Sequence, residues 1–192
     1  MSEHNLYDIT FPKLDDAHKA GELVGVQLSD AKEVARHVLP PLDGKAPFCN
    51  DVIVGPDGAL WFTESAGGRV FRVPAASALT SGTAEAWITG GEVGPPATGG
   101  SGANGLEWLD GTLVVANVGR GTLVALDPAS TDPSRGARVI ALSDAQGAAV
   151  TLCSPDGLER VPGSPDALIV VENGGCASKT PRLAEVKLSL RH

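Results

Sequence analysis

The sequence predicts an all-β protein made of repeated antiparallel sheets, and three features of its pattern lead to this prediction. Short apolar runs alternate with turn-forming residues along the chain, whereas patterns with the period of a helix are scarce. A segment that begins at Asn50, NDVIVGPDGALWFTESAGGRVFRV, returns in similar form from Asn104 and from Asp156. The successive starts lie 54 and 52 residues apart. A period of about 50 residues with several strands per repeat is typical of a β-propeller, in which each repeat is one four-stranded antiparallel blade.

The segment from Asn50 shows how one predicted blade is built. It contains three apolar runs, separated by the turn residues Gly55-Pro56-Asp57-Gly58 and by the break Ala66-Gly67-Gly68. Three short strands joined by such turns form an antiparallel meander. We therefore expect strands at 52–54, 60–63 and 69–73, with an outer strand near 85–89.

The chain divides into four consecutive units, of which the first and the last are incomplete. Their approximate bounds are 1–42, 43–90, 91–143 and 144–192. The first unit has expected strands at 6–9, 22–28 and 33–39, the last of these as its outer strand, and it lacks an inner strand. The outer strand of the third unit is expected at 138–142, and the fourth unit ends near its third strand. The sequence thus predicts a single domain that holds about three and a half propeller blades.

Composition limits the classes of partner. The net charge is −8 and the pI is about 4.9, which argues against nucleic acid because a nucleic-acid partner requires a basic surface. No apolar run approaches the length of about 18 residues that a membrane span requires. The start, MSEHNLYDITF, lacks the features of a signal peptide, so the cytoplasm is the default expectation.

The three cysteines, Cys49, Cys153 and Cys176, leave two alternatives open. An odd count without a signal peptide favours reduced thiols. A disulfide between Cys153 and Cys176 is the other alternative, because both are expected at the same end of one blade. Cys49 is interpreted as a small buried residue, since no histidine lies near it in the sequence.

The candidate site rests on the residues that begin the inner strands. Asn50, Asn104 and Asp156 occupy the same place in three successive repeats. Inner strands surround the channel of a propeller, so these side chains are expected at one mouth of it. Their amide and carboxylate oxygens suit a hard divalent cation, whereas zinc prefers His and Cys. The alternative is that Asn-Asp, Asn-Gly and Asp-Gly are simply turn pairs.

The same residues carry a family resemblance. Asn50-Asp51-Val52, Asn104-Gly105-Leu106 and Pro155-Asp156-Gly157-Leu158 resemble the senescence marker protein/gluconolactonase family, which includes regucalcin and is related to diisopropylfluorophosphatase. The similarity covers most of 45–192 and, weakly, 6–30. It implies a six-bladed propeller with a divalent cation in its channel, of which this chain holds a part.

The resemblance also implies roles for individual residues. Asn104 and Asp156 match metal ligands of the family, and Asn50 matches a residue that is a ligand or a substrate contact. Asp156 is the implied catalytic residue, and the implied activity is hydrolysis of a small-molecule lactone or ester. The implied cation is Ca²⁺, with Mg²⁺, Mn²⁺ or Zn²⁺ as alternatives. By their position alone, Glu64, Asn117, Glu172 and Asn173 follow the second strands and either line the same mouth or are polar groups of loops. Of these, Glu172 and Asn173 are the expected substrate contacts.

Two departures from the family pattern concern the first blade and the substrate. The family has a further glutamate ligand in an early blade, and neither Glu3 nor Glu22 stands in the expected setting. Sugar lactonases of the family carry an arginine two residues before the first asparagine, where this chain has Phe48. These departures leave two alternatives to a hydrolase: a non-catalytic ligand-binding propeller, or an inactive part of a longer one. An open partial ring is also expected to associate with a second copy through its uncovered edge, and the alternative is a closed small propeller of four blades.

Overall fold

A computed structural model describes residues 7–10, 21–176 and 180–188. This part of the chain is almost entirely β-structure, with one α-helix of a single turn, α1 (Pro133–Gly136), and two short 3-10 turns at Ala75–Ser77 and Gly91–Val93. The described strands are β1 (Tyr7–Thr10), β2 (Gly21–Gln27), β3 (Glu33–Leu39), β4 (Cys49–Val54), β5 (Leu60–Glu64), β6 (Arg69–Val73), β7 (Gly82–Thr83), β8 (Ala86–Thr89), β9 (Ala103–Leu109), β10 (Thr112–Asn117), β11 (Thr122–Leu126), β12 (Arg138–Ile140), β13 (Pro155–Arg160), β14 (Ala167–Glu172) and β15 (Arg182–Lys187). Within the same residues, no helix is both long and apolar enough to cross a membrane.

The described strands form four small sheets that follow one another along the chain. Their strand orders are β1-β2-β3-β7, β4-β5-β6-β8, β9-β10-β11-β12 and β13-β14-β15. The predicted fold class, a partial β-propeller of four-stranded blades, is confirmed. The three predicted inner strands are also confirmed, since β4, β9 and β13 each lie at the edge of their sheet and begin beside Asn50, Asn104 and Asp156.

The first sheet differs from the sequence prediction at its outer edge. The predicted outer strand β3 is not the last strand, because β7 from the following repeat pairs with it in parallel, His37 opposite Gly82. The Ala84 N–H extends this contact with a 2.8 Å hydrogen bond to the Val38 carbonyl. A two-residue strand that belongs to another repeat has no periodic pattern of its own, so it could not be predicted from the sequence.

The sheets stack face to face, and each pair of neighbours shares an apolar core. Strand β10 shows the principle, because all six of its residues are buried and alternate ones face opposite neighbours. Leu113 and Val115 pack toward the second sheet, whereas Val114 and Ala116 pack toward the fourth. Burying one such side chain stabilises the fold by about 1.5–3 kcal/mol. Because the second and third sheets have an apolar core on both faces, their polar chemistry is confined to the strand ends and the edges formed by the inner strands.

The three tryptophans pack against one another in the core. Trp61 is buried between the second and third sheets, with ring centroids 5.1 Å from Trp87 and 5.8 Å from Trp108 in edge-to-face geometry. The three rings belong to the core between blades.

Candidate functional site

The starts of the inner strands β4 and β9 are joined by one buried hydroxyl. Thr63, on β5, accepts a hydrogen bond from the Asp51 N–H at 3.1 Å and donates one to the Asn104 carbonyl at 2.6 Å. Thr63 is fully buried, so water does not compete for these bonds. The hydroxyl thus fixes the backbone that carries Asn50 against the backbone that carries Asn104.

Asp51 makes a second connection between the same two strands. Its carboxylate accepts the N–H of Val52 at 2.8 Å and the N–H of Leu106 at 3.0 Å. Burial raises the pKa of the Asp51 carboxyl, these two hydrogen bonds lower it, and the negative charges of Asp156 and Glu159 raise it further. Asp51 was not among the residues predicted for the site. The available signal was that the other two repeats have glycine at this position.

The start of β9 packs closely against the start of β13 because β9 has a glycine, Gly105, at the contact. A Cβ atom added to Gly105 would lie 2.0 Å from the Asp156 carbonyl oxygen and 3.0 Å from the Gly157 Cα. Real Cβ atoms do not approach backbone this closely, so residue 105 must be glycine for the two strands to pack in this way. The N-terminal ends of the three predicted inner strands, β4, β9 and β13, therefore lie next to one another.

The three predicted site residues differ in their surroundings. Asn50 and Asp156 are half-buried, whereas Asn104 is buried with only 6% of its surface exposed. No described residue donates a hydrogen bond to the Asn104 Oδ1. The Asp156 Oδ2 accepts a 2.7 Å hydrogen bond from the Nδ2 of Asn173, another residue predicted for this mouth. Convergence of the three side chains on one cation stays a prediction.

Among the described residues, the His, Cys, Asp and Glu side chains do not by themselves form a metal site. Within them, no group of three or more His, Cys, Asp and Glu side chains is close enough together to hold a metal ion. Any cation at the inner-strand ends would therefore depend on amide oxygens together with the Asp156 carboxylate. Two glutamates were compared in the sequence with the further ligand of the gluconolactonase-like family. Glu3 lies outside the described residues, and the Glu22 carboxylate is paired with Arg36.

The last residue of β5, Glu64, holds the surrounding loops together. It is fully buried, and its carboxylate accepts the N–H of Phe48 at 3.1 Å and the N–H of Gly67 at 3.0 Å. It also pairs with Arg69, whose Nε lies 2.8 Å from Oε2. The Arg69 Nη1 continues to the Pro40 carbonyl at 2.8 Å. Glu64 thus fixes the segment that leads into β4.

Glu172, the last residue of β14, has the equivalent position in the fourth sheet. It is fully buried and its carboxylate accepts the Cys153 N–H and pairs with Arg182. Asn117 ends β10 and donates through Nδ2 to the carbonyls of Glu92 at 2.9 Å and Gly94 at 2.8 Å. These contacts are structural. A contact between Glu172 and a substrate stays a prediction.

The cysteine pair corrects the favoured expectation of reduced thiols. Cys153 and Cys176 form a disulfide with a Cα–Cα distance of 5.7 Å, whereas Cys49 is free. Burial raises the pKa of the Cys49 thiol to about 11, which agrees with its interpretation as a small buried residue and not a nucleophile. The disulfide joins the segment before β13 to the segment after β14.

Further charges lie along the inner strands, beyond their first residues. The Glu107 Oε1 on β9 is 3.8 Å from the Arg160 Nε on β13. Burial raises the pKa of the Glu107 carboxyl, and the neighbouring Glu159 raises it further while Arg160 lowers it. Glu107, Glu159 and Arg160 were not predicted as site residues, because the prediction rested on the starts of the inner strands and the ends of the second strands. For the two glutamates, a repeated spacing could have indicated them, since Glu107 lies three residues after Asn104 and Glu159 three residues after Asp156.

Known structures with similar folds support the propeller architecture. Virginiamycin B lyase from Staphylococcus aureus superposes with a TM-score of 0.53 at 14% sequence identity, over 88% of this chain and 50% of that protein. Dihydro-heme d1 dehydrogenase NirN in complex with DHE gives a TM-score of 0.51 at 19% identity, over 96% of this chain and 35% of that protein. A catalytically inactive virginiamycin B lyase from Staphylococcus aureus with quinupristin gives a TM-score of 0.50 at 15% sequence identity, over 96% of this chain and 61% of that protein.

These similarities concern the fold alone. The neighbours are β-propellers of different functions, and this chain spans 50% or less of the first two. No family model and no curated protein matches the sequence. The chain is therefore similar to part of a β-propeller, and the resemblance to the gluconolactonase-like family rests on its sequence motifs.

Proposed function

We propose that the ends of the inner strands hold a divalent cation, most suitably Ca²⁺, and that the chain belongs to a metal-dependent hydrolase of small lactones or esters. The observation that carries this proposal is the Asn104 side chain. Its Oδ1 is buried and receives no hydrogen bond from the described residues. A buried acceptor left unpaired costs about 1–3 kcal/mol, so a water or an ion is expected to complete its contacts.

The donor atoms at this end fit an oxygen-preferring cation. Asn104 and Asn50 would supply amide oxygens and Asp156 the single carboxylate. Ca²⁺ accepts such mixed oxygen ligands in flexible geometry. With one anionic ligand, we expect weak binding with a dissociation constant of about 10⁻⁴–10⁻³ M.

The chemistry that a bound cation supplies in such sites is polarisation of a carbonyl and a lower pKa of bound water. The residues of this chain would act around it. Asn173 fixes one oxygen of the Asp156 carboxylate through its 2.7 Å hydrogen bond, which leaves the other oxygen for a proton or a carbonyl carbon. Thr63, Asp51 and Gly105 set the distances between the strands that carry the site.

A non-catalytic ligand-binding propeller, or an inactive part of a longer propeller, is the second candidate. Two observations favour it: Phe48 stands where sugar lactonases have an arginine, and the chain spans half or less of the first two similar structures. A binding module would take up a ligand without turnover, so an activity assay separates the two candidates.

Calorimetry with CaCl₂, MgCl₂ and MnCl₂ tests the proposal, together with hydrolysis of an aryl ester and a lactone with and without EDTA. We expect calcium binding that Asp156→Asn and Asn104→Ala each weaken by about 10-fold or more, and hydrolysis that EDTA abolishes. Asp110→Asn is the matched control, since Asp110 is exposed in the β9–β10 turn at the opposite end of β9. Calcium binding without hydrolysis would support the non-catalytic candidate. Equal affinity in Asp156→Asn and the unmutated chain would contradict the site.

A further inference from the structure

The fourth sheet has a covalent cross-link next to Asp156. Cys153 is buried three residues before Asp156, and Cys176 is half-buried three residues after Asn173. The disulfide therefore spans the same two segments that the Asn173–Asp156 hydrogen bond joins. The second sheet joins its equivalent segments without a cross-link, by the 2.9 Å hydrogen bond from the Ser65 N–H to the Phe48 carbonyl.

Several weaker contacts between the two segments surround the disulfide. The Asn173 N–H donates to the Ser154 carbonyl at 3.1 Å, and the Cys176 N–H lies 3.1 Å from the Cys153 Sγ. Ser154 has a φ of 52°, a left-handed conformation that a serine adopts only where neighbouring contacts impose it. The backbone that leads into Asp156 thus depends on contacts with the segment that contains Asn173 and Cys176.

We propose that the Cys153–Cys176 disulfide is a redox-sensitive latch that positions Asp156. In the oxidised chain it holds Asn173 against the Asp156 carboxylate. In the reduced chain the 173–176 segment separates from Ser154, Asn173 loses its bond to Asp156, and the carboxylate loses its fixed orientation. Insofar as it affects cation binding, this inference rests on the proposed function of the same site.

The redox step requires a dithiol reductant. One thiolate of the reductant attacks the Cys176 Sγ, the more accessible sulfur, and Cys153 leaves as a thiolate that takes up a proton. The second thiolate of the reductant then attacks the sulfur bound to Cys176, which releases the Cys176 thiol and leaves the reductant as a cyclic disulfide. Two electrons pass from the dithiol to the protein, and the two cysteines end as thiols.

Amide hydrogen exchange of the full chain, measured by NMR before and after reduction with dithiothreitol, tests the latch without reference to a metal. We expect the Asn173 and Cys176 amides to exchange at least about tenfold faster after reduction, and the Asn173 side-chain amide signals to shift. The Ser65 amide is the internal control and should stay unchanged. Unchanged exchange at Asn173 would overturn the proposal.

Calcium calorimetry on the two redox states tests the consequence for the site. Reduction should weaken binding by about 10–100-fold, as loss of a supporting contact typically does, and Asn173→Ala should do the same with the disulfide intact. Gln146→Ala, an exposed amide in the β12–β13 loop, is the matched control. Faster exchange with equal affinity in both states would overturn the positioning role. If neither state binds calcium, the proposed function fails, and the latch is then decided by the exchange measurement alone.

The double variant Cys153→Ser/Cys176→Ser should reproduce the reduced state. If this variant does not fold, chemical reduction of the unmutated chain and Asn173→Ala still decide the question. Cys49→Ala provides a background in which thiol titration counts only the two latch cysteines.

Discussion

The second and fourth sheets hold their inner strands in place with the same kind of residue, in different surroundings. Glu64 and Glu172 both end the second strand of a sheet, both are fully buried, and both accept an N–H from the segment that precedes the inner strand. Their arginine partners differ, because Arg69 has 4% of its side chain exposed and Arg182 has 52%. The second sheet thus relies on a buried ion pair, whereas the fourth combines a half-exposed pair with a disulfide.

The comparison shows that one architectural position can be stabilised by two mechanisms. In the second sheet the loop after β5 is short, and Gly67 lies close enough to Glu64 to donate its N–H. In the fourth sheet the loop after β14 is longer, running from Asn173 to the start of β15 at Arg182. A long loop supplies fewer local contacts, and the disulfide compensates by limiting its conformational freedom.

The largest expected effect comes from breaking the ion pair of the second sheet. Glu64→Gln leaves Arg69 charged and buried, and its Nη2 already has no described acceptor. We expect a loss of about 3–5 kcal/mol in the free energy of unfolding, measured by urea denaturation. Glu172→Gln should lose less, about 1.5–3 kcal/mol, because water can solvate Arg182.

Glu85→Gln is the control for both substitutions, since Glu85 is exposed near the outer edge of the second sheet and should change stability by less than about 0.5 kcal/mol. Equal losses for Glu64→Gln and Glu172→Gln would contradict the distinction between the two mechanisms.

The next effect concerns the covalent mechanism of the fourth sheet. The disulfide links two cysteines with a sequence separation of 23, and Cys153→Ala/Cys176→Ala removes this constraint on the segment between them. We expect a loss of about 2–4 kcal/mol in the free energy of unfolding. Adding a reductant should lower the stability of the unmutated chain by a similar amount and leave the double variant unchanged. A double variant as stable as the oxidised chain would show that the cross-link does not compensate for the long loop.

A smaller loss of stability is expected from substitutions at the contact between β9 and β13, next to the candidate site. Gly105→Ala places a Cβ 2.0 Å from the Asp156 carbonyl oxygen, whereas Gly157→Ala, at the equivalent position of β13, meets only the Val171 Cγ2 at 3.7 Å. We expect Gly105→Ala to lose about 1–3 kcal/mol of stability and Gly157→Ala to lose clearly less. Similar thermal unfolding of the two variants would contradict the close packing of β9 on β13.

The strand starts could be predicted from the sequence because turn residues and apolar runs are local signals that repeat. Asn50, Asn104 and Asp156 were found in this way. The contacts that join them were not, because the hydrogen bonds from the Thr63 hydroxyl to the Asn104 carbonyl and from the Leu106 N–H to the Asp51 carboxylate connect residues 41 and 55 positions apart. Such contacts depend on how the sheets stack. Thr63 does not differ locally from an ordinary strand residue, and only the comparison with Gly105 and Gly157 in the other repeats distinguishes Asp51.

The disulfide and strand β7 were difficult to predict for related reasons. The position of the two cysteines at one end of a blade was recognised, but their number favoured free thiols. Strand β7 has two residues and pairs with a strand of the preceding repeat, His37 opposite Gly82, so it interrupts the repeat instead of following it.

The smallest expected effect is a change in the pH dependence of stability. The pKa of Asp51 is raised from its ordinary value of 3.8, so the folded state keeps this proton at a pH where the unfolded chain has lost it. The contribution of Asp51 to stability therefore falls as the pH rises from 3.8 through the raised pKa. Asp51→Asn should remove this fall, which urea denaturation at steps between about pH 4 and 6 would detect as a difference in slope. Parallel pH profiles for the two proteins would contradict the raised pKa.

The central claim, a cation held by the inner-strand ends, is tested most directly by adding Mn²⁺ to the ¹⁵N-labelled chain and observing the side-chain amide signals by NMR. The paramagnetic ion broadens signals of nearby groups. We predict that the side-chain amides of Asn50 and Asn104 broaden first, that excess Ca²⁺ restores them, and that the exposed Gln146 stays sharp. Broadening of Gln146 at the same Mn²⁺ concentration, with Asn104 unaffected, would contradict the claim.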